Sequence, residues 1–186
     1  VNPEAPPLLT MNLAPGLQYG QRLEGQAVGD RPIESAGLLR VGESLTLAGG
    51  TLRLSGQLEA GDHLRLRAED TVRIQDSESS PFRAIANGNI RIRGTNAIDI
   101  SALSHPESEI VAGQNLTLRS DAPAIIDAHF TAGRDFRIER LNGGPGRSLS
   151  LDDPIIRADG DVSFQDYTGA SLRILAGGNV TIPGPI

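Results

Sequence analysis

Apolar residues along this chain fall in short alternating triplets, apolar-x-apolar, each a few residues after an alanine and a pair of turn residues. The pattern is plain in Leu58-Glu59-Ala60-Gly61-Asp62-His63-Leu64-Arg65-Leu66 and again in Ile110-Val111-Ala112-Gly113-Gln114-Asn115-Leu116-Thr117-Leu118. Further copies centre on Ala86-Asn87-Gly88-Asn89-Ile90, Ala132-Gly133-Arg134-Asp135-Phe136, Ala158-Asp159-Gly160-Asp161-Val162 and Ala176-Gly177-Gly178-Asn179-Val180. In Val41-Gly42-Glu43-Ser44-Leu45-Thr46-Leu47 a valine takes the alanine place. Successive frame positions 41, 60, 86, 112, 132, 158 and 176 are separated by 19, 26, 26, 20, 26 and 18 residues, which are two length classes rather than one noisy period. A second copy follows eight residues on in two of the longer steps, at Ala68-Glu69-Asp70-Thr71-Val72-Arg73-Ile74 and Gly94-Thr95-Asn96-Ala97-Ile98-Asp99-Ile100. Each coil is therefore predicted to hold two or three short strands.

Side chains alternate between the faces of a strand, so Leu64 and Leu66 are expected inward and Arg65 outward. Phe136 and Phe164 occupy the same inward sites. Gly and Asn tolerate positive φ, which suits the Gly-x-Asn segments to tight corners. A corner at one place in every coil means that strands stack parallel and in register, and such a stack is a solenoid whose coils bury their faces only against their neighbours. No segment sustains the i, i+3, i+4 spacing of a helix. The expectation is an all-β parallel β-helix with coils of about 18–26 residues, running from about Leu38 to Ile182. In domain terms, 1–37 reads as a linker and lead-in segment following a missing secretion domain, and 38–186 as the coils of a fragment of a longer chain. The opening Val1-Asn2-Pro3-Glu4-Ala5-Pro6-Pro7 is neither a signal peptide nor a natural start.

Composition narrows the chemistry. With no Trp, two Tyr and four Phe, the core must be built mainly from Leu, Ile, Val and Ala. The absence of Cys removes disulfides, thiolate nucleophiles and Cys-based metal sites together. All seventeen basic residues are Arg, and 23 acidic residues leave a net charge of −6. That balance lacks the globally basic footprint of a nucleic-acid binder, and the absence of Lys removes Schiff-base chemistry. No run of eighteen apolar residues exists, so no membrane-spanning helix is expected.

Three stretches resemble the large exoproteins of two-partner secretion, the filamentous haemagglutinin-like, haemagglutination-activity type common in cyanobacteria. The first runs from Ala5-Pro6-Pro7-Leu8-Leu9-Thr10-Met11-Asn12 to Gly16-Leu17-Gln18-Tyr19-Gly20, the second from Gly37-Leu38-Leu39-Arg40-Val41 to Ala48-Gly49-Gly50. The third is Tyr167-Thr168-Gly169-Ala170-Ser171-Leu172-Arg173-Ile174-Leu175-Ala176-Gly177-Gly178-Asn179-Val180-Thr181-Ile182. The resemblance implies a right-handed β-helix, export through a partner outer-membrane transporter, and a secreted or cell-surface location. It implies a structural and adhesive rod segment, not an enzyme. The Asn-Pro-Asn-Gly-type motif of the secretion domain is missing, Asn2-Pro3 being only a fragment, so transporter recognition is assigned to no residue here.

Candidate sites are few. Arg53, Arg65, Arg67, Arg73, Arg91, Arg93, Arg137 and Arg173 lie between or beside inward residues, and Arg65, Arg91 and Arg137 are the candidate face for anionic surface glycans. The competing reading is a solvated sheet face neutralised by acids of neighbouring coils. Asp152-Asp153, Asp159, Asp161 and Asp166 could suggest calcium or a glycosidase carboxylate pair, but Asp159 and Asp161 fall in the repeated corner, where Asn or Asp serves the turn. His63, His105 and His129 have no metal-ligand spacing, and His63 stands in the corner. Asn115-Leu116-Thr117 and Asn179-Val180-Thr181 match the glycosylation pattern by accident of the corner. Gly143-Gly144-Pro145-Gly146 lacks the Lys of a phosphate loop and reads as a surface loop between coils. No catalytic residue, metal or cofactor is expected. The alternatives are a polysaccharide lyase or hydrolase on the same fold, which needs a cleft with convergent carboxylates, and the stalk of a contact-dependent toxin.

Overall fold

A computed structural model describes residues 24–26 and 31–185. The described chain is a parallel β-helix: it has no helix, and its 22 strands form three sheets in which every strand pairs parallel to its neighbours. Each turn of the chain contributes one strand to each sheet in rotation, giving eight strands in the first sheet and seven in each of the others. Pairing reaches back beyond residue 38, since Glu24–Gln26 already lies on Leu45–Gly49 in the first sheet and Pro32–Ser35 on Thr51–Leu54 in the second.

The repeated frame is a physical column. Val41, Ala60, Ala86, Ala112, Ala132, Ala158 and Ala176 are register partners down the third sheet. All but Ala176 are buried. Small side chains suit this place because the chain turns immediately after it into the first sheet. Inward positions of the other columns are filled by Leu, Ile, Val and Phe, as in Leu45, Leu64, Ile90, Leu116, Phe136 and Val162 down the first sheet. Phe136 and Phe164 are fully buried as expected, and Phe136 meets Phe130 edge-on with ring centroids 5.3 Å apart.

Two expectations are corrected. Every coil holds three strands, the short ones included: the 19-residue step from Val41 to Ala60 contains Leu45–Gly49, Thr51–Leu54 and Gln57–Ala60. The extra residues of the long coils sit in loops, at 76–82, 102–108, 140–146 and 150–154. Gly143-Gly144-Pro145-Gly146 belongs to one of these, joining two sheets within one coil rather than one coil to the next.

The second correction concerns the corners, whose glycines and asparagines do not serve positive φ. Among the described residues only Gly143 has positive φ, at 87°. The corner glycines answer a close approach instead: a Cβ on Gly61, Gly113, Gly133 or Gly177 would lie 2.1–2.3 Å from a carbonyl oxygen of the coil before. The asparagine place is a hydrogen-bond ladder. The Asn89 N–H donates to His63 Nδ1 (2.9 Å), Asn115 N–H to Asn89 Oδ1 (3.1 Å) and Asp135 N–H to Asn115 Oδ1 (3.2 Å). Asp161 N–H donates in turn to Asp135 Oδ1 (3.0 Å) and Asn179 N–H to Asp161 Oδ1 (2.8 Å). Each side chain has to accept one backbone N–H from the next coil, a task that Asn, Asp and a neutral His share and an aliphatic side chain cannot do.

Acidic residues also hold the loops. The Asp76 carboxylate accepts from Ser108 Oγ (2.7 Å), His105 N–H (2.8 Å) and Ser104 N–H (3.2 Å). Burial pushes its pKa up, but these hydrogen bonds outweigh burial and leave it below the ordinary carboxylate value. Asp127, only 2% exposed, accepts from Ser150 Oγ and from the N–H groups of Leu151 (3.0 Å) and Asp152 (3.2 Å), so a buried, hydrogen-bonded carboxyl group fixes the loop that follows the next coil's strand.

Candidate anion-binding face

In-register stacking turns sequence offsets into columns. Five residues after each frame alanine stands the first outward place of the first sheet, and seven residues after it the second. The first column reads Thr46, Arg65, Arg91, Thr117, Arg137, Ser163 and the second Ala48, Arg67, Arg93, Arg119, Glu139. Arg65 lies directly on Arg91, and Arg67, Arg93 and Arg119 follow one another without a break. Neighbouring strands lie about 4.8 Å apart, so these are stacks of like charge at close range.

On the other two sheets four outward arginines pair with acids. On the second sheet Arg53 pairs with Glu34 at 2.8 Å and Arg73 with Asp99 at 2.9 Å. On the third, Arg40 pairs with Glu59 at 2.5 Å and Arg83 with Glu109 at 2.6 Å. The Glu59 carboxylate accepts two guanidinium N–H groups of Arg40, and this hydrogen bonding holds its pKa below the ordinary value against the opposing effect of burial. Arg173 stands on the third sheet in the last coil, on Ile155.

The first sheet divides into two groups. Arg67 pairs with Glu69 (2.9 Å), Arg137 with Asp135 (2.8 Å) and Arg119 with Glu139. Arg65, Arg91 and Arg93 have no acidic partner within 4.0 Å among the described residues, and all three are exposed. Like charges opposite one another in a sheet are destabilising, which makes this arrangement costly in the absence of a counter-charge. The six arginines line a shallow groove of about 650 Å³ together with only two acids, Asp135 and Glu139, on a chain whose net charge is −6.

Of the face read from the sequence, Arg65 and Arg91 are therefore brought together, whereas Arg137 lies two coils on, beyond Thr117, and is tied to Asp135. Arg93 and Arg119 complete a second column that the constant offset of seven residues would have revealed.

The other candidates are separated. Asp161 is a rung of the ladder, Asp159 an exposed corner residue, and Asp166 lies in a strand of the second sheet. Asp152 and Asp153 border a second groove of about 470 Å³ with His105 and His129, but no group of three or more His, Asp or Glu is placed to hold a metal ion among the described residues. His63 is held in the ladder. The Asn115 amide donates to Asn89 Oδ1 at 3.0 Å, so one of its two N–H groups is used within the ladder. No described helix is long and apolar enough to cross a membrane.

The chain matches no family model, no curated protein and no solved structure. The fold and the face thus define a parallel β-helix solenoid with one arginine-rich sheet.

Proposed function

We propose that this chain is a structural and adhesive rod segment of a secreted or cell-surface exoprotein, and that its first sheet takes anionic groups of surface glycans. The observation that carries the reading is the stacking of Arg65 on Arg91 and of Arg67 on Arg93 and Arg119, on a continuous core that fixes their spacing. A solenoid holds outward side chains in a rigid lattice, so binding does not have to order the arginine backbones first. Export through a partner outer-membrane transporter belongs to the same proposal and rests on the sequence resemblance to two-partner exoproteins. The reading makes the chain a surface rather than a catalyst: Asp161, set in the repeated corner by sequence, is engaged with the Asn179 N–H.

The test is a titration with a sulfated or uronic-acid glycan at low and at physiological salt, repeated with Arg65, Arg91 and Arg93 all changed to Gln. Exposed charges are screened beyond about 8 Å at physiological ionic strength, so affinity is expected to fall with salt and to fall again in the triple variant. Binding that ignores both would leave the segment as a spacer.

A further inference from the structure

We propose that Arg65, Arg91 and Arg93 form a cradle for one tetrahedral oxyanion ester, a sulfate or phosphate carried on a linear glycan. This rests on the adhesive reading above and assigns its ligand chemistry. Arg65 and Arg91 are register partners on adjacent coils, about 4.8 Å apart, and Arg93 is two residues along the same strand as Arg91, about 6.7 Å away on the same face. Three guanidinium forks thus surround one patch. A carboxylate offers two oxygens in a plane and engages one fork well, or two poorly. A sulfate or phosphate ester presents three terminal oxygens in different directions, one for each fork.

The surroundings keep the cradle charged. The acids nearest to it are already engaged: Glu69 by Arg67, Glu139 by Arg119, and Asp135 by both Arg137 and the Asp161 N–H. Thr46 and Thr117 stand above and below Arg65 and Arg91 in the column, adding a hydroxyl at either end for a neighbouring sugar. The groove crosses the coils from Thr46 to Arg137, so the glycan lies along the solenoid axis with its ester at Arg91.

The experiment uses the full chain with sulfated dextran, phosphorylated dextran and oligogalacturonate of matched length and charge, measured by calorimetry at fixed salt. Either ester is expected to bind roughly tenfold or more tightly than oligogalacturonate, the difference of about one charged hydrogen bond, and the better of the two names the ester. Arg91→Gln or Arg93→Gln should each remove roughly tenfold of that affinity, Arg91→Lys should fail to restore it, and Arg137→Gln should change it less than about threefold. Melting temperatures equal to the parent's show that the exposed substitutions leave the fold intact. Equal binding of oligogalacturonate that still depends on Arg91 overturns the ester assignment and leaves the arginine face standing. Ester binding that survives loss of Arg65, Arg91 and Arg93 but falls with Arg137→Gln overturns the cradle alone, and binding of none of the three removes the adhesive reading with it.

Discussion

Replacing Gly113 by alanine places a Cβ 2.2 Å from the carbonyl oxygen of Asn87, about 1.2 Å short of ordinary contact at 3.4 Å. The obstacle is backbone of the coil before, so no rotamer relieves it. Opening the corner by that amount stretches two coil-to-coil hydrogen bonds, Gly113 N–H to Ala86 O at 2.8 Å and Gln114 N–H to Gly88 O at 3.0 Å, beyond useful length. At about 0.5–1.5 kcal/mol each, the expected loss is about 1–3 kcal/mol. Gly144 is the contrast: it lacks positive φ, and the nearest atom to where its Cβ would stand is Asn142 Oδ1 at 3.3 Å, the end of a side chain that can give way. There alanine meets no backbone, and Gly144→Ala should change stability by less than about 1 kcal/mol. Urea unfolding of both variants beside the parent, followed by circular dichroism, measures the pair. A Gly113→Ala midpoint equal to the parent's, or equal losses from both alanines, would refute the close-approach explanation of the corners.

Phe136→Ala empties a fully buried site and its edge contact with Phe130, and should cost about 3–5 kcal/mol, whereas Arg137→Ala beside it loses only an exposed ion pair and should stay within about 1 kcal/mol by the same urea assay. Asn115→Leu removes the acceptor of the Asp135 N–H at 3.2 Å and should cost about 1–3 kcal/mol; hydrogen exchange at Asp135 should quicken, and an unchanged rate would take Asn115 out of the ladder. Asp76 has a folded pKa below its ordinary 3.8, so its stabilisation is present above that value and is lost as pH falls through the lower folded one. Asp76→Asn should therefore flatten the fall in urea midpoint below about pH 4, and an unaltered slope would mean that the loop clip contributes nothing.

The alternation of Leu64, Arg65 and Leu66, and the recurrence of a small apolar residue at seven frame positions, determined a parallel solenoid with these faces and these coil boundaries. That much is legible because a side-chain period of two and a corner in fixed phase depend only on neighbours along the chain. The number of strands per coil was not, since the 26-residue coils differ from the 19-residue coil in their loops and both make the same three turns. Nor was the reason for the corner glycines: Gly113 is needed because of Asn87, 26 residues before it, while Asn87 and Asp159 carry side chains in the same place of their coils. The arginine face divided in the same way. Sequence placed Arg65, Arg91 and Arg137 outward, but their partners were decided by what the folding of each coil set beside them. Stacking put Arg91 against Arg65, and a local rotamer gave Arg137 to Asp135. Charge at a sheet surface acts over a few ångströms, and which residues lie within that range is a property of register between coils rather than of order along the chain.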